Sequence, residues 1–202
     1  WAKTYRYALI NRGFDIVEVS LSEELPEKLD ILVIADMKTP LSGEEMARLN
    51  AYVERGGNLL IVGEPRRQEV MNPIIEQFGV QLMPGQLVRP TEHFTPDLVL
   101  ARATGGACEM SYLFNSLSYA NGVIAMPGCS ALEYVDNKGY KVTPLFESDT
   151  INGWNELQTV NFIDDTVRLD PELGEVERSY VTALALSRQV EGKEQKIVVL
   201  GD

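Results

Sequence analysis

Residues 40–65, PLSGEEMARLNAYVERGGNLLIVGEP, give the clearest sequence evidence for the fold. Its S-x-x-E motif, Ser42 with Glu45, predicts a capping box, in which each side chain accepts a backbone N–H at the start of a helix. Apolar residues then recur at helical spacing, and Gly56-Gly57 supply the positive φ that ends the helix. The apolar run NLLIVG that follows predicts a strand buried on both faces.

A second apolar run, ILVIAD at residues 31–36, precedes the helix. Strand, helix and strand, with both strands apolar throughout, predict a right-handed βαβ unit in a parallel sheet. SYVTALALSRQV and KIVVLGD read as closing strands, and YKVTPLFES as an edge strand, because Pro144 cannot donate a hydrogen bond within a ladder. The prediction is one α/β domain over residues 1–202, with a mainly parallel sheet flanked by helices.

The remaining segments carry weaker patterns. Residues 2–12 have helical spacing, and DIVEVSL at 15–21 alternates as a half-buried strand does. Asn72-Pro73 predicts the start of a helix that Gly79 ends. Residues from about 84 to 121 combine frequent Pro and Gly with poor periodicity, which predicts short strands and loops. Residues from about 151 to 178 are predicted to form an acidic loop.

Charge and composition exclude several classes of protein. The chain of 202 residues has 18 Lys and Arg against 30 Asp and Glu, a formal net charge of -12. Such an acidic surface repels phosphate backbones, so no nucleic-acid partner is predicted. The two cysteines, Cys108 and Cys129, cannot build a disulfide-rich scaffold and lack the spacing of a zinc site. No apolar run approaches the ~20 residues that span a bilayer, which predicts a soluble segment.

The glycines beside the second strand raise the question of catalysis. A phosphate loop needs glycines between a strand and a following helix, whereas Gly56-Gly57 lie between a helix and a strand. A nucleophile elbow needs Ser or Cys at a strand-to-helix turn, where this chain has Glu64. Cys129 does follow a strand, but the sole histidine, His93, lies far away in an irregular segment, so a buried structural cysteine is favoured. No catalytic residue, cofactor site or metal site is predicted.

Three acids are the candidates for a surface that binds a ligand or a partner. Asp36, Glu64 and Asp202 each end a predicted parallel strand, and ligands of open α/β sheets bind at that edge. Together the carboxylates could bind a divalent cation, or each could cap the element that follows. Trp154 in NGWNE is expected to anchor its loop in an apolar depression, whereas an exposed tryptophan there would contact a sugar or a protein.

Several motifs follow one another in an order that is typical of one family. D-x-L-x-I at residues 30–34 precedes P-L-S-x-x-E at 40–45, Y-x-x-x-G-G at 52–57 and N-L-L-I at 58–61. In the second half, VTPLFESDTINGWNE and KIVVLGD match the same pattern. Over most of its length the chain resembles the auxiliary components of ABC transporters related to the gliding-motility protein GldG.

The resemblance implies a flavodoxin-like or class I glutamine-amidotransferase-like domain without known catalytic residues. In that family the domain lies outside the cytoplasm, between membrane helices, and works with a permease and an ATPase. Because the sequence starts at Trp1 and ends on a strand, we expect a fragment of a longer membrane protein, tethered through its flanks.

The predicted function is therefore that of a non-enzymatic, periplasmic domain of an ABC-transporter auxiliary protein. It would bind a partner protein or a transported ligand. A degenerate amidotransferase-like hydrolase that uses Asp36, Glu64 or Cys129 is one alternative. A glycan-binding module that uses Trp154 is the other.

Overall fold

A computed structural model describes residues 9–35, 37–136, 138–163 and 166–202 of the chain. The strands are β1 (Ile31–Ala35), β2 (Asn58–Val62), β3 (Val80–Leu82), β4 (Gln86–Val88), β5 (Leu98–Ala103), β6 (Ile124–Pro127), β7 (Leu132–Tyr134), β8 (Lys141–Ser148), β9 (Trp154–Glu156), β10 (Val181–Val190) and β11 (Lys193–Leu200). The helices with defined bounds are α1 (Gly43–Glu54), α2 (Gln68–Ile75), α3 (Gly105–Met110) and α4 (Tyr112–Tyr119). Among these residues, no helix has both the length and the apolar character needed to cross a membrane.

A mixed sheet of seven strands forms the centre of the molecule, in the spatial order β1-β2-β11-β10-β8-β5-β6. Strands β1, β2 and β11 run parallel to one another, whereas every pair from β11 to β6 is antiparallel. The prediction of an α/β fold with helices beside a sheet is confirmed, and the prediction of a mainly parallel sheet is wrong. The reversal begins at Glu191-Gly192, a two-residue turn with positive φ at both positions, which joins β10 to β11 as a hairpin.

Helix α1 begins and ends as the sequence predicts. The Glu45 N–H donates to the Ser42 hydroxyl at 3.3 Å, and the Ser42 N–H donates to the Glu45 carboxylate at 2.8 Å, so both halves of the capping box are present. At the other end Gly56 has a φ of +86°, the left-handed conformation that ends helices. The double glycine is therefore a helix stop, and β2 follows it directly.

Ser42→Ala is expected to lower the free energy of unfolding by about 1 kcal/mol, because the Glu45 N–H loses its acceptor. Chemical denaturation followed by circular dichroism measures the difference. Ser118→Ala, at an exposed position inside α4, is the matched control and should change stability by less than about 0.5 kcal/mol. Equal unfolding free energies for Ser42→Ala and the wild type would refute the capping assignment.

The main apolar core lies on one face of the sheet, beneath α1 and α2. Its buried residues are Leu32, Ile34, Leu59, Ile61, Leu184, Leu186, Ile197 and Val199 from the seven-stranded sheet, Leu49, Tyr52, Val53, Val70, Met71, Ile74 and Ile75 from α1 and α2, and Phe78, Val80, Leu82, Leu132 and Tyr140 from the segments beside them. On the opposite face Ala107 of α3 packs against Ala183 and Ala185. Ile31 and Val33 are 46% and 45% exposed, so the prediction of strands buried on both faces is wrong for β1.

The segment before β1 differs from its prediction. Residues 1–8 of the predicted 2–12 helix lie outside the described residues; Leu9 and Ile10 are helical, and Gly13 follows with positive φ. Residues 15–21 form no strand. Val19 and Leu21 instead pack against the main core from an irregular segment. The alternation of DIVEVSL therefore reflects contacts with the core rather than pairing within a sheet.

Strand β8 lies inside the sheet, between β10 and β5, so the prediction of an edge strand is wrong. Pro144 is tolerated because β5 pairs with β8 only beyond it, at Phe146, Glu147 and Ser148. Beside the proline, the Thr104 hydroxyl donates to the Pro144 carbonyl, which points to the same side as the proline nitrogen. The start of α3, rather than a strand, thus covers the side of β8 that lacks a donor.

The helix predicted to start at Asn72-Pro73 starts earlier, since α2 begins at Gln68 and holds Pro73 in its interior. The Asn72 side chain is therefore not an N-cap. Its amide N–H donates to the Leu82 carbonyl at 3.2 Å, and its amide oxygen accepts the Leu82 N–H at 2.8 Å. The predicted stop at Gly79 is confirmed, with a φ of +77°.

Two helices, α3 and α4, lie in the segment that was predicted to hold short strands and loops. None of the residues of α4 is fully buried. Phe114 packs edge-on against Phe146 with 5.1 Å between ring centroids, whereas Tyr112, Leu113 and Tyr119 are 81%, 75% and 85% exposed. Apolar residues thus lie on both the inner and the outer side of α4, so the sequence shows no helical periodicity there.

Candidate functional site

The parallel strands β1, β2 and β11 are neighbours, so their carboxyl ends meet at one edge of the sheet. Glu64 and Asp202 lie at this edge, shortly after the ends of β2 and β11. The Gly63 N–H donates to the Leu200 carbonyl at 2.9 Å and joins the two segments. Asp36, the third predicted acid, lies outside the described residues.

Glu64 and Asp202 form an acidic pair. Burial, and then the negative charge of Glu64, raise the pKa of the Asp202 carboxyl above its ordinary value. The depression beside Glu64, lined by Met37, Val62 and Arg67, leaves no room for a water molecule. Within the described ranges, no group of three or more His, Cys, Asp or Glu side chains is placed to hold a metal ion. At this edge the structure thus shows two neighbouring carboxyl groups and a depression too small for a water molecule.

Cys129 also lies near this edge. The Ser130 N–H donates to the Gly201 carbonyl at 2.7 Å, which sets Cys129 close to Asp202. The thiol is fully buried among apolar side chains, and burial, with the Asp202 charge second, raises its pKa. A thiol that stays protonated is a poor nucleophile. His93 lies in an exposed turn, and no hydrogen bond in the described part of the chain joins it to Cys129.

A thiol reagent is expected to label Cys108 and to leave Cys129 unmodified in the native protein at neutral pH. Cys108 is half-buried, whereas Cys129 is fully buried and held in the thiol form. Mass spectrometry after brief alkylation, with and without denaturant, measures this selectivity. Cys108→Ser is the control, since it should remove all native labelling. Rapid labelling of Cys129 in the folded protein would instead favour a reactive cysteine.

Trp154 is 6% exposed and packs against Val88 and Val167. Its indole N–H donates to the Glu156 carboxylate at 3.1 Å. Trp154 thus anchors the loop of residues 151–178 from within. The glycan-binding alternative loses the exposed aromatic ring on which it depended.

Glu156, the last residue of the family stretch VTPLFESDTINGWNE, is a buried acid for which the sequence predicted no role. It is 2% exposed and accepts hydrogen bonds from the Trp154 indole and from the N–H groups of Gln158 and Thr159. Burial alone would raise the pKa of Glu156, but the hydrogen bonds from Thr159, Trp154 and Gln158 together outweigh burial, and the pKa is lowered. The carboxylate is therefore a structural anion that collects backbone and indole donors.

Glu175 has the same role at the far end of this loop. Its carboxylate accepts the Leu157 N–H at 2.9 Å and the Asp170 N–H at 2.7 Å, and it is 3% exposed. The family pattern singles out Glu156, but no signal in the sequence separates Glu175 from the other acids of the loop, because the folding of the loop brings its donors to it.

A groove of about 650 Å³ opens between β7 and the residues that lead into β10. Its lining includes Gly79 and Tyr134 on one side and Glu147 and Arg178 on the other. The Arg178 guanidinium lies 4.1 Å from the centroid of the Tyr180 ring, a cation–π contact that orients it. No sequence motif pointed to this groove, because its walls come from segments that are far apart along the chain.

Solved structures with a related fold are found at low sequence identity. The chain aligns with the structure titled mmIFT52 N-terminal domain at a TM-score of 0.66 and 14% identity, covering 99% of this chain and 78% of that one. It aligns with a ThuA-like protein from Bacteroides uniformis ATCC 8492 at a TM-score of 0.55 and 15% identity, covering 98% and 72%. At these identities the likeness concerns the fold alone. No curated protein matches the sequence.

Comparison with protein families covers nearly the whole chain. A family model described as an ABC-type uncharacterized transport system matches residues 2–202. The match supports the coarser part of the resemblance, an auxiliary component of an ABC transport system. The chain therefore belongs to the ABC-transporter auxiliary family, described as an ABC-type uncharacterized transport system.

Proposed function

We propose that this chain is the partner-binding, non-enzymatic domain of a GldG-like auxiliary protein that works with a permease and an ATPase. Family membership supports the role in transport. The observation that carries partner binding is the α4 surface, formed by Met110, Tyr112, Leu113 and Tyr119, which are 54%, 81%, 75% and 85% exposed. Four large apolar side chains exposed within ten residues of the chain favour a protein contact at this surface.

Charge favours the apolar surface of the permease as the occupant of the α4 surface. From residue 104 to residue 123 the chain has one charged residue, Glu109, although its net charge is -12. Anionic lipid and a second copy of this acidic chain are both repelled by that net charge. An apolar, uncharged patch on the permease is the partner that meets no such repulsion.

Purification of the full-length protein from its own membrane tests this function. The wild type should copurify with a permease and an ATPase, and the double variant Tyr112→Ser/Leu113→Ser should recover at least about tenfold less permease. Ile151→Ser, 62% exposed on another part of the surface, is the matched control and should recover the wild-type amount. Absence of both partners from the wild-type preparation would refute the proposal.

We infer that the domain faces the extracytoplasmic side of the membrane, as the GldG-like motifs imply. Glu172→Cys in a Cys108→Ser background places a single accessible thiol in the exposed turn that follows Pro171. A membrane-impermeant maleimide should label this thiol in intact cells. Labelling only after the cells are lysed would place the domain in the cytoplasm.

The acidic pair favours a second candidate, an amidotransferase-like hydrolase. The parallel β1-β2-β11 group supports the flavodoxin-like or class I amidotransferase-like assignment, and Glu64 stands where such an enzyme has its nucleophile. Asp202 lies beside it, and burial and the Glu64 charge raise the pKa of its carboxyl, which is the direction that a general acid requires. Esterase, amidase and phosphatase screens test this candidate: activity that Glu64→Gln removes would support it, and no turnover above background would count against it.

A further inference from the structure

The backbone of β7 turns one row of its hydrogen-bonding groups away from β3. The Val135 N–H donates to the Gly79 carbonyl, and the Met83 N–H donates to the Ala131 carbonyl, both at 2.9 Å. Residues of an antiparallel strand alternate between facing the partner and facing away from it. The N–H and C=O groups of Leu132 and Tyr134 therefore point away from β3.

The corresponding edge of β3 is closed, and the edge of β7 is not. On β3 the outward N–H and C=O of Leu82 both bind the Asn72 side chain, which takes the place of a neighbouring strand. Strand β7 pairs only with β3 among the described elements, and Leu132 and Tyr134 line the groove. The groove is thus bordered by a strand edge that no described element pairs with; Tyr134 on this edge is 40% exposed, whereas Leu132 is 4% exposed.

The opposite wall of the groove also ends in an incomplete ladder. Val181 pairs with Glu147 of β8 on one side, but β11 meets β10 only from Ala183 onward. The groove is closed at one end by a chain of hydrogen bonds, from the Ser130 N–H to the Gly201 carbonyl and from the Gly201 N–H to the Thr182 carbonyl. The space beyond these bonds is open between the two walls.

Arg178 and Lys138 are the cationic residues that line the groove, beside Glu76, Glu133 and Glu147, and the Arg178 guanidinium lies against the Tyr180 ring. In the described part of the chain no ion pair includes Arg178. A guanidinium that is held by an aromatic face and lacks a carboxylate partner is suited to bind a carboxylate of a ligand.

We propose that the groove binds an extended segment of a partner polypeptide as an added β-strand. The segment pairs its backbone with Tyr134 and places an acidic side chain against Arg178. Added strands take their affinity from main-chain hydrogen bonds and their specificity from side-chain contacts. A groove of about 650 Å³ lies within the range of about 300–1,000 Å³ that is usual for binding sites.

This inference deepens the proposed partner-binding function, and it rests on that function but not on the α4 surface. Peptide binding is measured on the isolated 202-residue chain. A negative result in this experiment can therefore be distinguished from a failure to copurify the permease and the ATPase. Recovery of the permease without peptide binding would overturn the groove proposal and leave the function in place.

The probe is an acidic peptide of about eight residues, selected on the immobilised chain from a random display library. Tyr134→Pro removes the outward N–H and leaves the bonds of Val135 to β3, whereas Tyr134→Ala keeps that N–H. Tyr134→Pro should weaken binding by about tenfold or more, and Tyr134→Ala by less than about threefold. Arg178→Ala should weaken the binding of the acidic peptide and leave unchanged the binding of a form in which Gln replaces the acidic residue. Calorimetry measures the affinities.

The peptide itself gives a second measurement that does not depend on how the variants fold. N-methylation at alternate residues on the edge that faces β7 should abolish binding to the wild type, and methylation at the intervening residues should not. Equal affinity of the wild type for the two methylated series would overturn the proposal. So would failure to select any peptide whose binding is weakened by Tyr134→Pro.

Discussion

Gly201→Ala is expected to destabilise the protein by about 3 kcal/mol or more. A β-carbon at position 201 would overlap the carbonyl oxygen of Ser130. The two backbones cannot separate cheaply, because the Ser130 N–H binds the Gly201 carbonyl at 2.7 Å and the Gly201 N–H binds the Thr182 carbonyl at 2.9 Å. The overlap must be relieved by breaking these bonds or by shifting β11, and overpacking of this kind is among the costliest single changes.

Denaturant unfolding of Gly201→Ala and Gly43→Ala measures this effect. Gly43 is the first residue of α1, and no heavy atom lies within 4 Å of the position of its added β-carbon. Gly43→Ala should therefore leave stability unchanged or raise it by less than about 1 kcal/mol. Similar unfolding free energies for the two variants would show that the close approach at Ser130 is not rigid.

Glu156→Gln is expected to cost about 3 kcal/mol at neutral pH, although the side chain keeps its size. The carboxylate accepts the Trp154 indole N–H and the N–H groups of Gln158 and Thr159. A glutamine would turn its NH2 group toward one of these donors and leave that donor buried without an acceptor. Glu172→Gln, at an exposed position in the same loop, is the control and should change stability by less than about 0.5 kcal/mol.

The effect of Glu156→Gln should depend on pH in a direction that the lowered pKa determines. Because folding lowers the pKa of Glu156, its carboxylate stabilises the fold fully above the pKa that this group has in the unfolded chain. That stability is lost as the pH falls through the lower pKa of the folded state. At acidic pH the free energy of unfolding of the wild type should therefore approach that of Glu156→Gln. An advantage that is the same at neutral and at strongly acidic pH would contradict this account.

The sequence predicted those parts of the fold whose causes are local. The capping box at Ser42 and Glu45 and the stop at Gly56 depend on residues within one turn of the helix, so short motifs suffice. Asn72 has the composition of an N-cap, but its side chain binds Leu82, which no local pattern shows. The pairing of β8 with β10 and β5 was missed for the same reason, since these partners are distant along the chain, whereas the β10–β11 hairpin at Glu191-Gly192 is local and was overlooked.

The features of the candidate site can likewise be separated into those that the sequence predicted and those that it did not. Glu64 and Asp202 could be placed together because parallel strands present their carboxyl ends at one edge of the sheet. The groove at Tyr134 could not be found, because it depends on how a short strand packs against residues that are distant along the chain. Local chemistry therefore predicted an edge of the sheet, whereas tertiary packing created the groove.

The position of β11 has a consequence for how the chain is made. This strand follows all the others in the sequence, yet it lies in the middle of the sheet, between β2 and β10. While the chain is being synthesised, the β1-α1-β2 unit and the strands from β5 to β10 have no common neighbour. Each exposes an unpaired strand edge until Lys193–Leu200 emerges, and such edges favour aggregation. Joining of the two parts of the sheet therefore waits for β11, and a chain interrupted before this strand would be left as two unjoined half-sheets.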